Sequence, residues 1–129
     1  MPKTIRQTVI IKASPRAIYE ALMDSRKHAK FSGQPAHISR KPGGTFTVYG
    51  NYINGANLEL VPGRKIVQFW RSANWPKFHY STDRYGLTKV RGGTRLAFTQ
   101  IGVPDGDYKA KKSGWHHAYW QPIKAMLEK

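Results

Sequence analysis

Ser113-Gly-Trp-His-His-Ala-Tyr-Trp-Gln-Pro-Ile-Lys-Ala-Met-Leu127, close to the C-terminus, is the stretch that decides the fold. Its apolar and aromatic residues recur at steps of three and four, the spacing of one face of an α-helix. About 20 helical residues span about 30 Å, so the expected partner of this helix is a whole sheet face. Pro122 lacks a backbone donor, which predicts a kink or a break in the hydrogen-bond ladder. The helix is predicted to begin near Asp107 or Lys109, with an inward stripe of Trp115, Ala118, Tyr119, Ile123, Met126 and Leu127.

The N-terminal third supplies a strand and short helices. Residues 5–12 alternate between two faces, which predicts a first strand. Ser14-Pro15 predicts a helix start, because Ser caps a free amide and Pro suits the first helical position. Asp24-Ser25 predicts the end of this helix and the cap of a second short one through residues 28–31.

Turn residues then alternate with runs rich in β-branched and aromatic residues up to Pro104, the pattern of an antiparallel meander. Together with the first strand this predicts a six-stranded sheet. The predicted class is therefore α+β, with a curved sheet around the C-terminal helix and one or two short helices after strand 1. The later strands are predicted at about 45–50, 51–60, 65–72, 79–89 and 94–102.

Length and composition favour one ordinary domain, residues 1–129, because 40% of the 129 residues are hydrophobic. No apolar run approaches the ~18 residues that a membrane span requires. The chain contains no cysteine, which excludes disulfides and thiol chemistry. Its first residues lack the pattern of a signal peptide, so we expect a cytoplasmic protein.

Several ordered motifs cover nearly the whole chain: Phe31-Ser-Gly-Gln-Pro-Ala36, Gly43-Gly-Thr-Phe46, Asn57-Leu-Glu-Leu-Val-Pro62, Lys65-Ile-Val-Gln-Phe-Trp-Arg71, Trp75-Pro76, Gly93-Thr-Arg-Leu96, Gly102-Val-Pro104, Gly114-Trp115 and Tyr119-Trp-Gln-Pro-Ile-Lys124. Together they resemble the activator of heat-shock-protein (Hsp90) ATPase homologue family, within the START-like (SRPBCC) superfamily. The resemblance is to the C-terminal domain of the eukaryotic co-chaperone. It implies a helix-grip fold, whose sheet wraps around the long helix and often leaves a ligand cavity. Known functions of such domains include ligand binding, polyketide cyclisation and, in the stress response, stimulation of a chaperone ATPase.

Alternation along the strands assigns one set of side chains to the sheet face beneath the helix. Leu58 and Leu60 belong to this inward-facing set, in addition to the predicted ligand-binding residues listed below. Aromatic rings there would hold a hydrophobic or amphipathic molecule by stacking, and polar groups would add hydrogen bonds. Plain core packing is the alternative explanation of the aromatic residues. The predicted ligand-binding residues are Phe46, Val48, Gln68, Trp70, Ser81, Asp83, Tyr85, Phe98, Gln100, Trp115, His116 and Tyr119.

The middle of this set is polar and contains Gln68, Ser81, Asp83 and Gln100. Buried polar groups need hydrogen bonds or water, and an unpaired buried carboxyl has a raised pKa. A water-filled or ligand-filled pocket would meet this need. If a bulge shifts the strand by one residue, Asp83 instead lies in solvent beside Arg71 or Arg84.

Residue patterns typical of catalysis and metal binding are scarce. The five histidines fit no standard zinc spacing, and adjacent His116 and His117 point about 100° apart on a helix. No nucleophile elbow, phosphate-binding loop or dinucleotide motif is present. A pair of His116 and Asp83 is the one acid–base candidate, suggested by the resemblance to cyclases. The leading interpretation is a non-enzymatic ligand-binding protein without metal or cofactor.

The charge suggests other partners. The chain has 22 Lys and Arg against 7 Asp and Glu, a net charge of +15. Such a surplus attracts polyanions, although scattered basic residues are also typical of an ordinary solvated surface. Basic and aromatic residues alternate on the outer sheet face, which would suit an acidic protein such as a chaperone, single-stranded nucleic acid, or a second copy of the chain covering Val67 and Phe69. The predicted surface-interaction residues are Arg71, Arg84, Arg95, Phe69 and Tyr80.

Overall fold

Seven antiparallel strands form one curved sheet in the computed structural model, which describes residues 1–128. Their spatial order is β1-β7-β6-β5-β4-β3-β2. The helices pack on one face of this sheet, so the predicted α+β class is confirmed. The strands are β1 (Lys3–Ile11), β2 (His37–Ile38), β3 (Thr45–Val48), β4 (Ile53–Val61), β5 (Lys65–Ser72), β6 (Ser81–Val90) and β7 (Gly93–Val103).

The prediction of six strands is wrong. The additional strand is β2, whose two residues pair with Thr47 and Phe46 of β3. Two residues are too few for an alternating pattern, so the sequence did not reveal it. β4 also starts later than predicted, because residues 49–52 form the hairpin loop, with Tyr49 in a left-handed conformation (φ 53°).

Both N-terminal helices form as predicted: α1 is Pro15–Met23 and α2 is Ser25–Ser32. The Ser14 side chain accepts a hydrogen bond from the Ala17 amide at 3.1 Å, and Asp24 accepts one from the Lys27 amide at 3.0 Å. These caps satisfy free amides at each helix start.

The C-terminal helix is not one regular α-helix. A 3₁₀ turn (Asp105–Asp107) leads into α3 (Tyr108–Trp115), a π-helical turn (His116–Trp120) and α4 (Gln121–Leu127). Within the π turn, the Gln121 amide bonds to the His116 carbonyl, five residues back. The predicted disturbance of the ladder near Pro122 is therefore confirmed, in the form of a π turn.

The core lies between the helices and the inner sheet face. Trp115 is its central side chain: its ring lies 4.2 Å from Phe98, 5.4 Å from Trp70 and 5.6 Å from Trp120, measured between ring centroids. The predicted alternation of the first strand is confirmed in β1, because Ile5 and Ile11 are buried and Ile10 is exposed. Aromatic packing thus holds the C-terminal helix to the sheet.

Candidate functional site

The predicted ligand-binding set has the expected orientation, with its strand residues on the inner sheet face and Trp115 and Tyr119 on the helix above that face. All of its members except His116 are buried. His116 is exposed, so its assignment to the site is wrong. Because Trp115 and Tyr119 occupy the inward stripe, the residue after Trp115 points about 100° away from it. His116 therefore cannot act with the buried Asp83, which removes the acid–base pair.

A chain of hydrogen bonds runs through the polar middle of this face. Trp115 Nε1 donates to Gln100 Oε1 at 2.7 Å, and Gln100 Nε2 donates to Ser81 Oγ at 3.0 Å. Ser81 Oγ in turn donates to Asp83 Oδ1 at 2.6 Å. The chain joins the C-terminal helix to β7 and β6. Most of the predicted polar residues therefore satisfy one another rather than facing an open pocket.

Asp83 is at the end of this chain and is fully buried, with 0% exposure. The alternative placement in solvent is therefore wrong. Burial raises the pKa of the Asp83 carboxyl well above its ordinary value, although the hydrogen bond from Ser81 acts in the opposite direction. Burial thus favours the neutral form of the carboxyl. Its second oxygen, Oδ2, has no hydrogen-bond partner among residues 1–128.

Gln68 belongs to a second polar group that sequence reasoning missed. Its Nε2 donates to Asn57 Oδ1 at 3.1 Å, and Asn57 Nδ2 donates to the Ser39 carbonyl at 2.7 Å. Asn57 is buried because the register of β4 shifts between Asn57 and Glu59. The same bulge leaves Leu58 43% exposed, so its predicted inward orientation is wrong. Leu60 is half-buried.

His28 is a further buried polar residue that the sequence did not identify. Its Nε2 lies 3.0 Å from the Tyr119 hydroxyl. Burial lowers the pKa of His28 to about 4, so the ring is neutral at physiological pH. The one sequence signal was its position one turn before Phe31, whose ring lies 4.5 Å away. His28 thus joins α2 to the C-terminal helix.

The interior beneath the helix is almost filled. A cavity of about 10 Å³ remains beside His28, Gln68, Trp70 and Tyr119. This volume is at the lower limit for one water molecule, whereas sites for small organic molecules measure about 300–1,000 Å³. The polar centre of the sheet is therefore closed to an organic ligand in this conformation.

A much larger cleft opens at one end of the helix. Its volume is about 350 Å³, within the range of small-molecule sites. Trp70, Trp115 and Tyr119 of the predicted set form its inner wall, while Asp83, Gln100 and the other predicted residues do not line it. The remaining lining residues are Gln34, Tyr49, Tyr52, Ile53, Ala110, Lys111, Gly114 and Ala118.

One wall of the cleft depends on Pro122. An α-helix would bond the Ala118 carbonyl to the amide of residue 122, but proline has no N–H to donate. The Tyr49 hydroxyl donates to this carbonyl instead. The hydrogen bond joins the β3–β4 hairpin to the helix across the cleft. Burial raises the pKa of Tyr49 to about 12, so this donor keeps its proton.

The rim of the cleft carries one cation. Lys111 Nζ lies 2.8 Å from Asp107 Oδ2 and 5.7 Å from the centre of the Tyr52 ring. Asp107 also accepts a hydrogen bond from Trp75 Nε1 at 2.6 Å. Burial acts to raise the pKa of Asp107, but its bonds to Lys111 and Trp75 hold it below the ordinary value. The ion pair therefore offsets the charge of Lys111 and holds its side chain at the rim.

The predicted surface-interaction residues are not one continuous set. Phe69 and Tyr80 lie together on the outer sheet face, with ring centroids 6.5 Å apart. Arg84 is exposed on the neighbouring strand, whereas Arg95 pairs in register with Ile10, away from Phe69. Arg71 is half-buried, and its Nη2 donates to the Trp75 carbonyl at 2.6 Å. Arg71 therefore holds a loop in place by hydrogen bonds and is not a freely exposed cation.

Residues 1–128 contain no group of three or more His, Asp or Glu residues placed to hold a metal ion. None of the helices in this part of the chain is long and apolar enough to cross a membrane.

Comparison with known proteins identifies relatives over most of the chain. Residues 12–128 match the family described as "Activator of Hsp90 ATPase homolog 1-like protein". The mouse "Activator of 90 kDa heat shock protein ATPase homolog 2" is 36% identical over 99 residues, which are 77% of this chain and 30% of that protein. This chain spans about a third of the length of the curated relatives it matches.

Solved structures share the fold. An HSP90 activator from Plasmodium falciparum superimposes with a TM-score of 0.90 at 24% identity, covering 95% of this chain and 94% of that one. The "Aha1 dimer" from Colwellia psychrerythraea gives 0.81 at 23% identity, covering 98% and 96%. These structures confirm the predicted architecture of a curved antiparallel sheet packed against a C-terminal helix.

Proposed function

This chain belongs to the Activator of Hsp90 ATPase homolog 1-like family, and we propose that it is a non-enzymatic binding module whose cleft holds an apolar or amphipathic organic molecule. The observation that carries this proposal is the cleft of about 350 Å³ beside the C-terminal helix. Within the described residues, the inner cavity is too small for this role. The ligand site therefore lies in the cleft beside the C-terminal helix rather than at the polar centre of the sheet.

Aromatic side chains give the cleft its affinity for flat or apolar molecules. Trp115 lies 5.4 Å from Trp70 and 4.6 Å from Tyr119, so three rings form a continuous inner wall. Each ring is packed on the core and therefore loses little freedom when a ligand binds. Such a preformed apolar surface with a few polar groups at its rim is typical of small-molecule sites.

The polar groups at the cleft support binding more than catalysis. Tyr49 is bonded to the helix, Tyr52 donates to Asn74 at 3.0 Å, and Lys111 is paired with Asp107. These bonds hold the titratable groups in structural roles. A general acid or base needs a group free to exchange a proton with the substrate.

Gly114 provides a direct test of the cleft. A Cβ added to Gly114 meets no heavy atom within 4 Å, so the backbone position has room for a side chain, and Gly114→Leu places one at the cleft wall. Leu also favours the helix more than Gly does. We expect the neutral dye N-phenyl-1-naphthylamine to bind the wild-type protein saturably, and Gly114→Leu to weaken this binding by about tenfold, monitored by fluorescence.

The matched control is Ser113→Leu, an exposed neighbour on the same helix that does not line the cleft. It should leave the affinity for the dye unchanged. Absence of saturable binding, or equal losses in both variants, would contradict the proposed site.

A second candidate function is docking on an Hsp90-type chaperone. The names of the curated relatives and the +15 net charge favour it. An acidic partner would be attracted at low salt and less so at high salt. The test is the ATPase rate of a purified Hsp90-type chaperone with and without the protein. We expect stimulation that declines as salt rises, and an unchanged rate at low salt would rule this candidate out.

A further inference from the structure

The outer sheet face exposes aromatic side chains that the cleft does not use. Phe69 is 44% exposed and Tyr80 is 45% exposed, and Phe78 in the preceding loop is 80% exposed. Ile101 extends this apolar surface, because Thr82 pairs with both Phe69 and Ile101 across the sheet. We call Phe69 and Tyr80, whose ring centroids lie 6.5 Å apart, the outer aromatic patch. Several exposed apolar groups on one surface are typical of interaction sites.

The loop before β6 presents Phe78 to solvent in a strained conformation. Phe78 has a φ of 65°, the left-handed region, which costs about 1–2 kcal/mol for a residue with a Cβ. Arg71 holds the loop by donating to the Trp75 and Pro76 carbonyls, and the His79 amide bonds to the Pro76 carbonyl at 3.0 Å. The loop therefore fixes Phe78 outward.

A groove of about 330 Å³ borders Phe69 and Tyr80 on this face. Gly55 and Ala56, which have no large side chains, line its floor. A Cβ on Gly55 would lie 1.9 Å from the Phe69 carbonyl oxygen, so this position admits only glycine. The other lining residues are Thr45, Phe46, Thr47 and Asn54. An uncharged groove beside exposed aromatic rings suits an apolar side chain of a partner.

The surroundings of the patch are positively charged. Lys77 lies over the Phe78 ring at 5.2 Å, and Arg84 is exposed on the strand that carries Thr82. Within residues 1–128, neither cation forms an ion pair. Glu59 on the same face is already paired with Lys65 at 2.8 Å. This charge disfavours a second copy of the chain and favours an acidic partner.

We propose that the outer aromatic patch, with Lys77 and Arg84, binds an acidic segment of another protein that inserts an apolar side chain into the groove. The inference does not rest on the cleft, and it supplies a docking surface for the chaperone candidate. A protein partner fits better than nucleic acid, because the groove is lined by apolar and small uncharged groups, whereas a nucleic-acid track carries cations along its length.

The test uses three fluorescein-labelled probes of equal charge: an acidic peptide containing Leu and Phe, an acidic peptide containing Ser instead, and oligo(dT). We expect the Leu/Phe peptide to bind about tenfold more tightly than the Ser peptide by fluorescence anisotropy. Phe69→Ser and Arg84→Gln should each weaken binding of the Leu/Phe peptide severalfold. Circular dichroism of each variant checks that it is folded.

The matched controls lie on the same sheet face, at a distance from the patch. Ile10 is 49% exposed and pairs with Arg95 across the sheet. Ile10→Ser and Arg95→Gln should leave peptide affinity unchanged, and Phe69→Ser should leave dye binding in the cleft unchanged.

Four results would overturn the proposal. Equal affinity for the two peptides would show that only charge matters. Equal losses from Ile10→Ser and Phe69→Ser would show that the patch is not the site. Tighter binding of oligo(dT), lost in Phe69→Ser, would assign the surface to nucleic acid. If neither peptide binds while the dye still does, the patch is not a docking surface and the cleft proposal stands.

Discussion

The two faces of the same sheet place similar residue types in opposite environments. On the inner face, Trp70 is 3% exposed and packs against Trp75, and the buried carboxyl of Asp83 accepts a bond from Ser81. On the outer face, Phe69 is 44% exposed, and the Arg84 cation has no ion-pair partner within residues 1–128. Strand parity alone separates them. An aromatic or charged residue in this chain therefore indicates a function only once its face is known.

The two faces are also expected to differ in what their side chains contribute, stability on the inner face and binding on the outer face. Inner-face groups bond to one another and fix the position of the C-terminal helix, so their loss should unfold the protein. Exposed groups, such as Tyr52 at the cleft and Phe69 on the outer face, have free surface, so their loss should change binding and leave the fold intact. The following predictions test this division.

The largest expected effect is that of Trp115→Ala. The variant loses aromatic contacts with Phe98, Trp70 and Trp120 and leaves Gln100 without its donor. A buried Trp replaced by Ala costs about 3–5 kcal/mol of unfolding free energy, measured by urea denaturation. Trp115→Phe, which keeps most of the packing, should lose less. A loss below about 1 kcal/mol for Trp115→Ala would contradict its role as the centre of the core.

The next effect is the pH dependence of Asp83→Asn. Because the pKa of Asp83 is raised in the folded state, stability is greatest when the group is protonated and falls as pH rises above about 4, the pKa of the unfolded chain. The slope is about 1.4 kcal/mol per pH unit up to the folded-state pKa. The Asn variant lacks this loss, so it should gain on the wild type as pH rises. Urea titrations at several pH values measure the difference, and a constant difference would show that Asp83 does not titrate abnormally.

His28→Gln should show a pH dependence of the opposite sign. The pKa of His28 is lowered to about 4, so wild-type stability falls as pH drops from about 6.5 to about 4, by about 1.4 kcal/mol per unit. The Gln variant should gain on the wild type in that window. The two groups therefore have opposite effects on stability above about pH 4, so each variant exposes the slope that the other group causes. If both variants track the wild type, the two groups are not buried as described.

The smallest expected effect on stability is that of Phe69→Ser. Its ring is partly exposed on the outer face, so the change should cost less than about 1 kcal/mol in urea denaturation. A loss as large as that of Trp115→Ala would erase the distinction between the two faces.

The sequence predicted most of the fold because strong patterns mark it. Period-two alternation identified the inner face of β5, β6 and β7, and Ser14 and Asp24 identified both helix starts. It missed β2, which is too short for a pattern, and misplaced Leu58, because a bulge changes parity without any mark in the residue types. A single register shift is enough to exchange Asn57 for Leu58 in the core.

The candidate site was harder to predict for a related reason. Polar residues on the inner face indicated an open pocket, but whether such groups face water or one another depends on distances that a sequence does not contain. Gln100 and Ser81 satisfy each other, while the open volume lies nearer the helix, where Gly114 and Ala118 leave room. Small residues on an otherwise aromatic helix were the signal available for the cleft. His28 was missed because its partner, Tyr119, is remote in sequence.

The most direct test of the cleft is a two-dimensional amide NMR titration with N-phenyl-1-naphthylamine. Binding beside the helix should shift the amides of Lys111, Gly114 and Ala118 first, since all three line the cleft. The amides of Phe69 and Arg84 on the outer face should remain unchanged. Shifts confined to the outer face, or no saturable shifts at all, would contradict the account.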